Sequence, residues 1–169
     1  MFTIGGKTGY SNALWWKSLG GGTPVNQLTY DLYFYLTDPN LPEALEFDVN
    51  QSYNGTRYTW GTECSYKNTG KWDIWNPESL VWEKTNVPCP PVSANTWHHL
   101  TWQFERINGQ VHYISVTLDD VTSTVDVYYN PQTPWTRGED IDIAFQMDGD
   151  WRQDPYTVWL DNVTLTTSY

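Results

Sequence analysis

The dipeptide Asn54-Gly55 sits between two runs, EALEFDVNQSY and TRYTWGTEC, in which apolar and polar side chains alternate. A two-residue type I′ turn needs positive φ at both central positions, and Asn-Gly tolerates this at low cost, so the segment reads as a β-hairpin of fixed register. Setting Tyr53 opposite Thr56 carries the ladder back through Val49 with Trp60, Phe47 with Thr62 and Leu45 with Cys64, one largely apolar face. The other face then pairs Asn50 with Thr59, Asp48 with Gly61 and Glu46 with Glu63. Two carboxylates meet there with Cβ atoms about 5 Å apart, which weakens a sheet unless one is protonated or something is bound.

The same period of two runs through the chain, and no long segment carries an apolar stripe at helical spacing. The alternation predicts strands over 28–37, 44–52, 57–65, 72–76, 79–84, 97–107, 111–118, 122–129, 140–148 and 156–166, separated by turn clusters such as GGGTP, DPNLP, PCPP and NPQTP. About ten short strands with no internal repeat or linker predict an all-β fold, a two-sheet antiparallel jelly-roll sandwich. Residues 1–169 read as a single domain, expected to be part of a longer secreted chain. In a second hairpin, a two-residue turn at Asn108-Gly109 would set Gln103 and Glu105 against Ile114 and His112. A three-residue loop over 108–110 instead matches Leu100 with Leu118, Trp102 with Val116 and Phe104 with Ile114.

Strand 28–36 turns Leu28, Tyr30, Leu32, Phe34 and Leu36 inward, and strand 141–148 does the same with Ile141, Ile143, Phe145 and Met147. Four elements are therefore expected to share one concave polar face. Its candidate ligand-binding residues are Asp31, Tyr33, Tyr35, Glu46, Asp48, Asn50, Glu63, Gln103, Glu105 and Gln146. Tyrosines, carboxylates and amides together can stack on a pyranose ring and hydrogen-bond its hydroxyls. Trp15, Trp16, Trp72 and Trp75 are further stacking candidates.

Composition narrows the partners. Nine Lys plus Arg against twenty Asp plus Glu give a formal charge of −11, which repels nucleic acid and anionic membrane surfaces. Eleven Trp and twelve Tyr coexist with a mean hydropathy of −0.58, so much aromatic surface belongs to a polar exterior. No apolar run is long enough to insert in a membrane, and the N-terminal MFTIGGKTGYSN shows no signal-peptide pattern. Cys64 and Cys89 lack metal-site spacing; they read as one disulfide and an extracellular or cell-surface location, the alternative being two buried thiols.

The segment NTWHHLTWQF, residues 95–104, resembles a strand of laminin-G and other concanavalin A-like sandwiches. VWLDNVTL, 158–165, is similar to the closing strand of jelly-roll carbohydrate-binding modules and glucanases. YDLYFYLTDPNLPEALEFDVN, 30–50, resembles the strand pair of family 12 glycoside hydrolases, and EFDVN resembles the catalytic strand of family 16 glucanases. The resemblance covers about half the chain. It implies a nucleophile at Glu46 and an assisting aspartate at Asp48. The second catalytic carboxylate of family 16 would fall near Asn50 and Gln51, and that of family 12 at Gln146, all amides here. Only Glu63, supported by the hairpin register and not by the resemblance, could supply the acid.

His98 and His99 point to opposite faces and read as structural. The sequons at Asn54 and Asn162 read as chance matches, one in a turn and one in a strand. The acidic loop MDGDWRQD, 147–154, offers Asp148, Asp150 and Asp154 as oxygen ligands for a structural calcium; no other cofactor is required. The reading favoured by the sequence is a carbohydrate-binding module for a β-glucan or related polysaccharide. Its alternatives are a retaining endo-glycosidase with Glu46 and Glu63 as catalytic pair, and a structural or adhesion domain of a cell-surface protein.

Overall fold

The computed structural model describes residues 1–7, 12–21 and 23–169. Among the described residues thirteen strands make the fold: β1 (Phe2–Ile4), β2 (Asn12–Ser18), β3 (Gln27–Leu36), β4 (Ala44–Tyr53), β5 (Thr56–Trp60), β6 (Thr62–Ser65), β7 (Lys71–Asn76), β8 (Val81–Pro88), β9 (Thr96–Ile107), β10 (Gln110–Leu118), β11 (Val121–Tyr129), β12 (Asp140–Asp148) and β13 (Tyr156–Ser168). They form two antiparallel sheets. A six-stranded sheet runs β1-β13-β3-β9-β10-β11, and a seven-stranded sheet runs β2-β12-β4-β6-β7-β8 with β5 also paired to β4. The jelly-roll sandwich is as expected from the alternation.

The first hairpin has the predicted register, with Tyr53 opposite Thr56, Val49 opposite Trp60, Leu45 opposite Cys64 and Glu46 opposite Glu63. The single strand expected over 57–65 is divided at Gly61, whose carbonyl accepts a hydrogen bond from Trp75 N at 2.9 Å. The second hairpin corrects the sequence reading. Its turn is the two-residue Asn108-Gly109, with φ of 52° and 76°, and Ile107 pairs with Gln110. A bulge at Ile114 supplies the extra residue further along β10, so Phe104 meets Tyr113 while Trp102 still meets Val116. The bulge resolves the clash of faces that a regular two-residue hairpin would have produced.

The core between the sheets holds Leu28, Tyr30, Leu32, Phe34 and Leu36 from β3, facing Leu45, Phe47 and Val49 from β4 and Ile143, Phe145 and Met147 from β12. Trp72 stands edge-on to Trp102 at 5.3 Å, and Trp60, Phe104 and Tyr113 continue the aromatic layer. The Tyr113 hydroxyl, reaching from the six-stranded sheet, shares its single hydrogen between two carbonyls of the other sheet, that of Trp75 at 2.8 Å and that of Thr59 at 3.2 Å. Cys64 on β6 is disulfide-bonded to Cys89 just beyond β8, with Cα atoms 5.6 Å apart.

Candidate functional site

Alternation that buries Leu45, Phe47 and Val49 turns Glu46, Asp48 and Asn50 outward, and the neighbouring strands align their outward residues in rows. One row crosses six strands as Leu14, Gln146, Glu46, Glu63, Asp73 and Lys84. The next reads Trp16, Ala144, Asp48, Gly61, Trp75 and Trp82, with Gly61 joined to Trp75 by its carbonyl. A third contains Ser18, Asp142, Asn50 and Thr59. Gly61 has a steric reason: a Cβ there would stand 2.8 Å from the Trp75 Cβ and 3.4 Å from Asp48 Oδ1. Its absence lets the Trp75 side chain settle beside Asp48.

Three recesses follow one another along this face. A groove of about 790 Å³ lies over the carboxylate row, lined by Glu46, Glu63, Asp73, Trp82, Lys84, Gln146 and Asp148, with Asn68, Thr69 and Arg152 at its margin. It shares Glu46, Gln146 and Trp82 with a smaller recess of about 250 Å³ over Asp48, Gly61 and Trp75. At the other end, about 550 Å³ is bounded by Trp16, Arg57, Trp135, Arg137 and Asp142, where both guanidinium groups lie over the Trp135 ring.

The carboxylates are crowded and short of cations. Gln146 Nε2 donates to Glu46 Oε2 at 2.9 Å and to Asp148 Oδ1 at 2.7 Å, and Thr62 N donates to Asp48 Oδ1 at 3.1 Å. Burial, then the charges of Asp48 and Asp148, push the Glu46 carboxyl well above its usual range. Burial pushes Asp48 up to about 6 despite the hydrogen bonds that favour its charged form. Burial, with Asp148, Glu43 and Asp73, pushes Glu63 up to about 8. Protons are therefore retained in this cluster at pH values where ordinary carboxyls are ionised.

The candidates expected on one face are divided between two. Glu46, Asp48, Asn50, Glu63 and Gln146 lie together on the seven-stranded sheet. Asp31, Tyr33, Tyr35, Gln103 and Glu105 belong to β3 and β9 of the six-stranded sheet, on the opposite side of the sandwich. Alternation states which way a side chain points relative to the core, but not which sheet carries it. The second group is occupied with its own neighbours. Asp31 Oδ2 lies 2.8 Å from His99 Nε2 and 2.6 Å from Thr101 Oγ1, and Tyr33 stacks on His99. Tyr35 packs between Trp97 and Trp159, Gln103 accepts from Ser115, and Glu105 accepts from Gln27 and contacts His112. His98 is buried between Asp119 and the Ser93 carbonyl.

Of the tryptophans singled out in the sequence, Trp16 and Trp75 are on the groove face, Trp15 packs against the core and Trp72 is within it. Nothing in the sequence alone singles out Trp82, Asp73 or Trp135. The β7–β8 register that would have revealed the first two is interrupted between Lys71 and Asp73. The acidic loop does not gather its three aspartates: Asp154 pairs with Lys7 and Lys67, and Asp150 is exposed. Asp148 instead joins Glu46 and Glu63, the three offering carboxylate oxygens within 4.8 Å of one another among the described residues.

No family model and no curated protein sequence matches the chain. Solved structures do match it in fold. A mutant of the alginate lyase Aly36B in complex with alginate trisaccharide superposes with a TM-score of 0.64 at 9% identity, over 99% of this chain and 80% of that one. The endo-β-1,4-glucuronan lyase of the fungus Trichoderma reesei gives a TM-score of 0.57 at 14% identity, over 98% and 79%. At such identities the likeness is one of fold, a two-sheet antiparallel jelly-roll sandwich.

Proposed function

We propose that the chain is a carbohydrate-binding domain that holds a polysaccharide, a β-glucan or a related chain, along the outer face of its seven-stranded sheet. The observation that carries this reading is the groove itself, in which Trp75 and Trp82 adjoin a row of carboxyls and an amide. Indole faces cover the apolar faces of sugar rings while Glu46, Glu63, Asp73 and Gln146 take their hydroxyls. From Glu46 to Ser52 the recesses extend along β4 for about 20 Å, the length of a short oligosaccharide. An open groove is a poor surface for a purely structural or adhesion domain, which calls for a face closed by neighbouring structure. The disulfide supports an extracellular location, and no helix among the described residues is long and apolar enough to cross a membrane. Affinity electrophoresis and calorimetry against β-glucans, xylan and mannan test the reading: retardation by at least one polymer is expected, and retardation by none overturns it.

A second reading, retaining endo-glycosidase activity, is favoured by the Glu46 and Glu63 pair. Their oxygens lie within 4.8 Å, close to the spacing of about 5 Å that double displacement uses. Glu46, once ionised, would attack the anomeric carbon as the protonated Glu63 gives its proton to the leaving oxygen. Water, deprotonated by Glu63, would then release the sugar from Glu46. Reducing-sugar release by wild type, Glu46→Gln and Glu63→Gln decides it. Hydrolysis predicts losses of orders of magnitude in both variants, and an inactive wild type removes this reading.

A further inference from the structure

We infer that the groove prefers a polysaccharide bearing free amino groups over its neutral counterpart, an inference that rests on the glycan-binding reading of the same face. The groove and its tryptophans make the site; the charges beneath them select within the sugars. Glu46, Glu63 and Asp73 stand consecutively across three strands, with Asp48 in the next row and Asp148 joined to Glu46 through Gln146. Lys84 closes the row at one end, while Arg152 is engaged by Glu43 at 3.5 Å. Glu63 lines the groove together with Glu46, Asp73 and Asp148. Ionised carboxyls side by side weaken a sheet, so the row is relieved either by retained protons or by a bound cation that takes their place.

An amino sugar supplies what the row lacks. Its ammonium occupies the space of a hydroxyl, so the ring stacks as its neutral counterpart does, but it offers three charged donors. A nitrogen donating tetrahedrally at about 2.8 Å places its acceptors about 4.6 Å apart. The oxygens of Glu46, Glu63 and Asp148 lie within 4.8 Å of one another. An N-acetyl group removes the charge and two of the donors, and a uronate would bring a further carboxylate into the cluster. The raised proton affinity of Glu63 gives a second signature: an incoming ammonium favours the ionised carboxyls and drives protons out.

Calorimetry at pH 6 with hexamers of glucosamine, N-acetylglucosamine, glucose (β-1,4-linked) and a uronic acid tests the inference. The glucosamine hexamer is expected to bind about ten-fold more tightly than its N-acetylated form, corresponding to one good charge-assisted contact. Its binding should release protons, detected by repeating the titration in buffers of different ionisation enthalpy. Glu63→Gln should reduce the preference at least about three-fold, while Asp161→Asn, on the other sheet, should leave it unchanged. Equal or tighter binding of the N-acetylated or glucose hexamer overturns the amino-sugar inference and leaves the glycan-binding reading standing. Equal loss of preference in both variants reveals general attraction to an acidic protein and also overturns it. Binding of none of the four overturns both.

Discussion

Glu63 is held in its protonated form by burial and by surrounding carboxyls, and this has a defined consequence for stability. Its carboxyl is raised from the ordinary value of 4.5 to about 8 in the folded protein. Between those pH values the folded state binds more protons than the unfolded state, so the contribution is fully present below pH 4.5 and is lost as pH rises to about 8. Thermal unfolding followed over this window should show a falling Tm, and Glu63→Gln should make the fall shallower and raise Tm at pH 8 by a few degrees. An unchanged slope in the variant contradicts the assignment. Gly61 gives a second prediction at this scale, because a Cβ there would stand 2.8 Å from that of Trp75. Gly61→Ala should cost about 1–3 kcal/mol in denaturant unfolding and weaken glycan binding together, since the shift falls on the groove wall; a variant as stable as wild type contradicts the packing described.

At the scale of elements, the Tyr113 hydroxyl links β10 to the opposite sheet through the carbonyls of Thr59 and Trp75. Tyr113→Phe should lower stability by about 1–2 kcal/mol, measured by urea unfolding with an unchanged m-value; no loss would show that the bonds contribute nothing. The sequence announced neither this contact nor the bulge that aims it. Ile114 and Tyr113 are both acceptable inward residues, and choosing between a longer loop and a bulge requires the partner strand β9. In contrast, Asn54-Gly55 fixed the β4–β5 register and with it the juxtaposition of Glu46 and Glu63, because a turn of known length is local information. Sheet membership is not local. Asp31, Tyr33 and Tyr35 share their chemistry with the groove residues, yet β3 pairs with β9 and β13, which carries them to the far side. β1 and β2 are illegible for a related reason: both are edge strands, and β2 exposes the apolar Leu14 and Trp16 beside the core-packed Ala13 and Trp15, so apolar and polar residues do not alternate.

For the whole molecule, the Cys64–Cys89 bond lies in the core and closes a loop over a sequence separation of 25 between β6 and the end of β8, a loop that contains Asp73 and Trp82. Replacing both cysteines by serine should cost about 3 kcal/mol and lower Tm by about 6–12 °C, with reduction of the wild type reproducing the shift; a Tm unchanged in both cases contradicts a stabilising role. The two outer faces of the sandwich divide the function more sharply. One has a groove lined by crowded carboxyls, and the other has polar groups bonded to each other, together with the half-exposed Trp97. The central claim is that sugar binds the first face, and calorimetry with the tightest-retained polysaccharide tests it in three proteins: wild type, Trp82→Ala in the groove and Trp97→Ala on the opposite sheet. Trp82→Ala should lose at least about ten-fold in affinity, as expected for removing one stacking aromatic, while Trp97→Ala should bind as wild type does. Loss in Trp97→Ala with binding intact in Trp82→Ala would place the sugar on the six-stranded sheet and contradict it.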